Sequence, residues 1–411
     1  MAKPAEAGFL GLQARLNVKR RELTKMGTKR GQIQIACLLG SLILFSGLAL
    51  VLKGPAPTST EPALAKTAPD ARASASQRLG KAMWGPAEVN GVSQFPTYKD
   101  LGVGIYQMAI DWSQIAATRP ATATDPADPA YQWPEHFEKT ILEANRYGMQ
   151  VTMMVIGAPA WANGGHSDRA WTPKNPKDYA DFVTAMSRKY PRVRFWMIWG
   201  EPNRSPNFKP LTPSRTGPLN AAQARAPRNY ARILDAAYVA LKKVDSRDLV
   251  IGGNTFTAAG RDSISTYQWI RYMRLPNGGR PRMDLYGHNP FGFRIPSLAN
   301  KPSPRGMVDF SDSKRLTKVL DRYYPRKRFR LFLSEWGVPA GATEDAELGY
   351  KLNYATQARW IKAGLRLSRK FKRIYTIGWI HPYDRPELGI ITGLLKADGR
   401  KKPGYFSFRN G

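Results

Sequence analysis

Eight short runs of apolar, β-branched and aromatic residues punctuate the chain beyond residue 80, and stretches of helical period separate the later ones. The runs are KAMWG near residue 83, VGIYQMAI at 103–110, MQVTMMVIG at 149–157, RFWMIWG at 194–200, DLVIGG near 250, MDLYGH near 286, FRLFLSE near 332 and RIYTIGWIH near 377. Runs of this length and composition predict buried strands. Tyr230, Ile233, Leu234, Ala237 and Leu241 recur at helical spacing, as do Tyr354, Ala358, Ile361 and Leu365, which predicts two helices with one packing face each. Eight strand–helix units in roughly 330 residues predict an α/β protein with a (β/α)8 TIM barrel over residues 81–411, and in such a barrel the chemistry sits at the C-terminal ends of the strands. A doubly wound sheet is the rival fold. It would carry a glycine-rich phosphate loop after its first strand, where this chain has GPAEVNG.

One apolar run has a different character. From Ile33 to Leu52 the chain has no charge and a single glutamine, and a helix of that length spans a hydrocarbon core of about 30 Å. A cleaved signal peptide has a shorter apolar region with its cleavage site close behind, whereas the nearest small-x-small triplet here is Ala63-Leu64-Ala65. Residues 33–52 therefore predict a retained transmembrane signal anchor. Residues 1–32 carry eight basic residues against Glu6 and Glu22, a net charge of +6, which predicts a cytoplasmic tail and places the remainder of the chain outside the cell membrane. Residues 53–80, rich in Pro, Ala, Ser and Thr, predict a linker.

The whole chain carries +32. Nucleic acid, anionic lipid or an acidic wall polymer are the partners such a charge suits; an extracellular placement and the lack of a nucleic-acid-recognition motif argue against the first. A basic solvated surface is the plainer explanation. Cys37 is the sole cysteine, so a disulfide framework and a cysteine-based metal site are both excluded.

Residues just past the predicted strands are the candidates for chemistry: Asp111 and Trp112, Glu201, Asn254, His288 and Asn289, Glu335, then Trp379, His381 and Asp384. The other two histidines, His136 and His166, fall at a helix start and in a loop. No HExxH metal motif and no GxSxG nucleophile elbow occurs. Two carboxylates after the fourth and seventh strands suit glycoside cleavage, in which one acid protonates the leaving oxygen and one carboxylate meets the developing oxocarbenium ion, without metal or organic cofactor.

The segments WMIWGEPN (196–203) and LFLSEWG (331–337) resemble the two catalytic segments of clan A glycoside hydrolases, of the family 39 and family 5 type, and the ending GLLKADGRKKPGYFSF is similar to their last barrel helix region. That resemblance implies a retaining glycosidase with Glu201 as acid/base and Glu335 as nucleophile, the carboxyls about 5–5.5 Å apart. It implies a substrate-binding role for His288 beside the nucleophile and for Trp379 as an aromatic floor under the sugar. Trp336 has the same physical reason to face a pyranose, with core packing the rival for both tryptophans. Clan A enzymes usually carry Asn directly before the acid/base; here that position is Gly200. Asn203 and Asn254 are candidates to replace its contact with the sugar. The expected partner is then a polysaccharide or oligosaccharide, anionic on the strength of the charge. The alternative is a non-catalytic glycan-binding or wall-organising barrel.

Overall fold

The computed structural model describes residues 79–411 apart from 215 and 261. The predicted tail, anchor and nearly all of the linker lie outside these residues. Among the described residues no helix is long and apolar enough to cross a membrane.

All eight predicted strands are present. They are β1 (Gly80–Trp84), β2 (Ile105–Asp111), β3 (Gln150–Ile156), β4 (Phe195–Ile198), β5 (Leu249–Phe256), β6 (Leu285–Asn289), β7 (Leu331–Trp336) and β8 (Ile374–Trp379). Each pairs in parallel with the next, and β8 pairs with β1 to close the barrel. Helices follow the strands in turn: α1 (Phe95–Asp100), α2 (Glu135–Arg146), α3 (Pro176–Lys189), α4 (Ala221–Val244), α5 (Thr266–Tyr272), α6 (Ser313–Tyr323), α7 (Tyr354–Lys370) and α8 (Pro403–Asn410). The strand pattern dictates this layering, because successive side chains alternate between barrel interior and helix layer and both environments are apolar.

Two tyrosines fix the strand ends that matter. Tyr179 of α3 donates to the Val155 carbonyl at 2.8 Å. Tyr230 of α4 donates to the Ile198 carbonyl and accepts from the Gly253 amide, both at 2.8 Å. Asn220 caps α4 in a reciprocal box with Gln223, and Asn353 caps α7, so both helices start at defined points after their loops.

The barrel interior is layered. Phe195, Phe332 and Tyr375 form an aromatic floor with ring centroids 5.9–6.4 Å apart. Above it, Gln107 donates to the Ser334 carbonyl at 3.0 Å, the Ser334 hydroxyl donates to Gln107 Oε1 at 3.2 Å, and Trp84 Nε1 donates to that hydroxyl at 3.3 Å. This polar layer is internally bonded, which is what a buried network needs in order to rigidify and not destabilise. It supports the seventh strand one residue below Glu335.

Candidate active site

Three departures from strand alternation build the site. Between β7 and β8, Leu333 pairs with Ile377 and Trp336 with Trp379. Gly378 alone therefore faces both Ser334 and Glu335, a bulge that aims two consecutive residues inward. A Cβ at position 378 would lie 2.0 Å from the Ser334 carbonyl oxygen, so only glycine permits it. Between β5 and β6 a second register shift leaves Gly287 facing Gly253 and Asn254, and Asn254 takes a φ of 42°. At the end of β4, Trp199 and Glu201 have φ of 65° and 44°, left-handed backbone that costs non-glycine residues on the order of 1–3 kcal/mol each. Here the strain is held by bonds on every side. Trp199 Nε1 donates to the Asn207 carbonyl at 2.7 Å, and the Glu201 amide donates to the Asn254 carbonyl at 3.1 Å.

Glu201 and Glu335 come together at the C-terminal mouth, each only 3% exposed. Asn289 Nδ2 donates to Glu201 Oε1 at 3.0 Å. Glu201 Oε2 accepts from Arg204 Nη1 at 3.0 Å and from Asn207 at 3.4 Å. Arg204 in turn reaches Asp262 at 3.2 Å and lies over the Phe256 ring at 4.5 Å. Burial pulls the Arg204 guanidinium down, but Glu201 and Asp262 outweigh it and hold the group above its ordinary value. Glu335 Oε2 is buried without a hydrogen-bond partner. Desolvation, then the negative charges of Glu201 and Glu347, push Glu335 well above the usual carboxyl range, against Arg204 and Asn289.

Glu347, in the loop after β7, gave no signal in the sequence. Asp345 shapes that loop by accepting from the Ile391, Leu348 and Glu347 amides at 2.9–3.0 Å. Glu347 is exposed, and partial desolvation of its carboxyl, with the negative charges of Asp345 and Glu201, holds it above the usual carboxyl range.

The substrate-binding expectations need correction at four of five positions. Asn203 is fully buried and consumed by backbone: it donates to the Phe256 and Ile264 carbonyls at 3.1 and 2.9 Å and accepts from the Phe256 amide at 2.8 Å. His288 faces the helix layer, bonded to Thr255 Oγ1 at 3.0 Å and the Val308 carbonyl at 2.8 Å. Trp379 is 0% exposed, donates to the Thr392 carbonyl at 3.1 Å and packs edge-on against Trp336 and Phe408. Trp336 lies against Phe310 and Gly364, where an added Cβ would sit 2.7 Å from its ring. Both tryptophans are therefore packing residues, with no face left for a sugar. Asn254 differs: its Nδ2 bonds the Trp199 carbonyl at 3.4 Å while its Oδ1 stays buried and unpartnered.

The other strand-end residues are also structural. Asp111 pairs with Arg169 at 2.7 Å and caps the turn at Ser113. Asp384 pairs with the buried Lys402 at 2.6 Å. His381 bonds Thr392 Oγ1 at 2.6 Å. Burial lowers His288 to about 4 and His381 to about 3. Because these folded values lie below 6.5, the stability the two rings contribute is present above pH 6.5 and lost as pH falls through the folded values. For His288 the loss is on the order of 3 kcal/mol. The unfolding midpoint should therefore drop between pH 6.5 and 4, and a flat profile in a pH-resolved melt would contradict neutral buried rings.

Gly200 has a direct steric explanation. A Cβ there would meet Met154 Sδ at 2.9 Å and Cε at 3.3 Å, and Met154 also lies 3.7 Å from Asn254 Nδ2. The thioether on β3 fills the space that an asparagine before Glu201 would take. Gly200→Asn should destabilise the fold by about 1–3 kcal/mol, and adding Met154→Ala should recover part of that. Chemical denaturation of both variants checks this, and an additive pair would refute the shared space.

The architecture is thus a parallel (β/α)8 barrel with two buried glutamates at the C-terminal ends of the fourth and seventh strands. In fold it is similar to family 39 glycoside hydrolases. One from the gut symbiont Bacteroides cellulosilyticus WH2 superposes with a TM-score of 0.55 at 16% identity, covering 82% of this chain and 64% of that one. A monomeric beta-xylosidase from Caulobacter crescentus CB15 gives 0.54 at 16%, covering 81% and 67%, and a glucosidase from Croceicoccus marinus gives 0.56 at 13%, covering 81% and 67%. This chain spans between 64% and 67% of the length of these three. No protein-family model and no curated protein matches the sequence.

Proposed function

We propose that this barrel is a retaining glycoside hydrolase that cleaves an extracellular or cell-envelope polysaccharide. The observation that carries the reading is the Glu201–Glu335 pair: two buried carboxyls close enough for the charge of one to act on the other, at the end of the barrel where such folds hold their chemistry. In the first step Glu335 attacks the anomeric carbon while Glu201 gives its proton to the departing glycosidic oxygen. A glycosyl ester forms as the glycosidic bond breaks. Glu201, now a carboxylate, takes a proton from water as that water attacks the anomeric carbon, which releases the sugar and restores Glu335. Asn254 Oδ1 and Asn289 Oδ1, both buried and unpartnered, are acceptors for sugar hydroxyls.

Residues 33–52 would anchor the enzyme with its barrel outside the cell membrane, and the charge of +32 would hold it along an anionic polymer. The carboxylates around the pair make the cleavage point itself acidic, so the attraction belongs to the surrounding surface. Incubating the full chain with envelope glycans, neutral and uronate-bearing, and identifying new reducing ends tests the reading. Cleavage supports it, faster on the anionic polymer at low salt; tight glycan binding without any cleavage would replace it with a glycan-binding module.

A further inference from the structure

The excess positive charge of the barrel is not shared evenly between its two ends. All eight strands run parallel, so every strand starts at one end and finishes at the other, and different stretches of chain build the two. Counted from the last four residues of each helix to the residue before the next strand, the stretches that enter β2 to β8 hold 22 basic and 6 acidic residues. Counted from the residue after each strand to the first four of the next helix, the stretches around the mouth hold 19 and 17. Three runs at the entering end contain no acidic residue: RKYPRVR (188–194) before β4, RKRFR (326–330) before β7 and RKFKR (369–373) before β8. β4 lies across the barrel from β8, so the charge covers the whole end and not one edge of it.

A cation in the last turn of a helix offsets the helix dipole, which accounts for Lys189, Lys243 and Lys370. It does not account for Arg192, Arg326, Lys327 and Lys372. These lie beyond the helices, are exposed, and make no ion pair or side-chain hydrogen bond among the described residues. Five of the six acidic residues at this end, Asp100, Asp245, Asp248, Asp284 and Asp321, are already held in ion pairs. None of the exposed large apolar side chains lies in the entering stretches. Leu79 leads into β1 at this same end, so the part of the chain that holds the predicted anchor joins the barrel there.

We propose that this end of the barrel is a docking surface for a bilayer rich in anionic lipid headgroups, seating the barrel with Glu201 and Glu335 directed away from the membrane. The proposal rests on the anchored-barrel reading of residues 33–52 and not on the glycosidase chemistry. Headgroup phosphates are acceptors that exposed guanidinium and ammonium groups suit, and each cation that reaches an anionic leaflet contributes about fivefold to binding. With no apolar side chain to insert, the contact stays at the surface and is screened by salt. An anionic polymer on this end would lie on the far side from the glutamates, where none of its bonds meets them. The polymer of the proposed function meets the loops of the mouth and the helix flanks instead. Seated this way, the mouth faces glycan held above the bilayer and not the headgroups of lipids.

Acetylation footprinting of the full chain in lipid nanodiscs tests the docking surface without any glycan. Discs of phosphatidylcholine alone are compared with discs of equal parts phosphatidylcholine and phosphatidylglycerol. In the anionic discs Lys327, Lys370 and Lys372 should react about fivefold more slowly or slower still, whereas Lys174 and Lys351, in loops of the mouth, should react equally in both. Molar salt, which cuts the screening length to about 3 Å, should remove the difference. The combined variant Arg192→Glu, Arg326→Glu and Arg328→Glu should lose it at low salt; if that variant does not fold, the salt comparison decides. Equal reaction in the two discs overturns the proposal, as does protection of Lys174 and Lys351 in place of the other three. Protection that a polyuronate strips from the anionic disc at matched charge gives this end to a polymer and overturns it too. A chain that does not enter neutral discs sinks the anchor reading alone. Protection of the same three lysines on anionic vesicles, relative to the chain in buffer, then decides the docking surface.

Discussion

Glu335→Gln is expected to end turnover, by on the order of 10⁴-fold or more, while making the protein harder to unfold at neutral pH. The two effects have one origin. Glu335 is buried, one of its oxygens has no partner, and Glu201 and Glu347 repel its charge. An amide at this position keeps the shape and carries no charge, but it cannot form a glycosyl ester. The sign of the stability change follows from linkage. The folded value of Glu335 is raised, so the stability it contributes is complete below the ordinary carboxyl value and is lost as pH rises through the folded one. Glu335→Gln removes that loss, and its advantage in unfolding midpoint should grow with pH until the original carboxyl is fully ionised. Paired melts across pH 5 to 9 read it. A variant that is inactive and also less stable at pH 8 would mark Glu335 as a supporting group and not a nucleophile held at a cost.

Glu201→Ala is expected to slow the cleavage of glycosides with poor leaving groups by on the order of 10²–10⁴-fold, yet to spare formation of the glycosyl ester from those whose leaving group departs unprotonated. On these, hydrolysis of the ester without its general base becomes the slow step, and azide should restore turnover because it attacks the ester without a base and occupies the space the side chain has left. Rates across a series of aryl glycosides of the sugar found in the product screen, with and without azide, separate this from a binding role. An equal loss on every leaving group, unaffected by azide, would remove Glu201 from the acid/base position. The substitution also strips Arg204 of its closest partner, so some stability should be lost, and the melts belong beside the kinetics.

The barrel was legible in the sequence because its signal is repetitive. Eight runs fit eight strands, and the predicted face of α4 is buried throughout, whereas on α7 Ile361 and Leu365 are buried and Tyr354 and Ala358 only half-buried. The two glutamates were legible for a related reason, since each closes an apolar run. Side-chain direction was not legible. Asn289 and His288 are neighbours on β6, and alternation sends Asn289 to Glu201 and His288 to the helix layer; the histidine looked like the site residue, and it is the asparagine that bonds a glutamate. Trp336 and Trp379 fail for the same reason, because the bulge opposite Gly378 turns Ser334 and Glu335 inward and leaves both tryptophans facing the helices. A bulge is a feature of paired strands, and one strand read alone does not reveal it. Arg204 stood in plain sight beside Glu201, but in a chain with 63 basic residues one more arginine carried no information. Gly200 drew attention as a missing asparagine, and only the position of Met154, on another strand, accounts for it.

The most direct test of the account is the stereochemistry of the first product. Proton NMR of the reducing-end sugar, recorded during cleavage of a glycan found in the screen and before mutarotation, reports its anomeric form. Two neighbouring glutamates acting in turn predict the same anomer as the bond that was cut, together with no product at all from Glu335→Gln. An inverted anomer would contradict the double displacement and place a water where the ester was proposed.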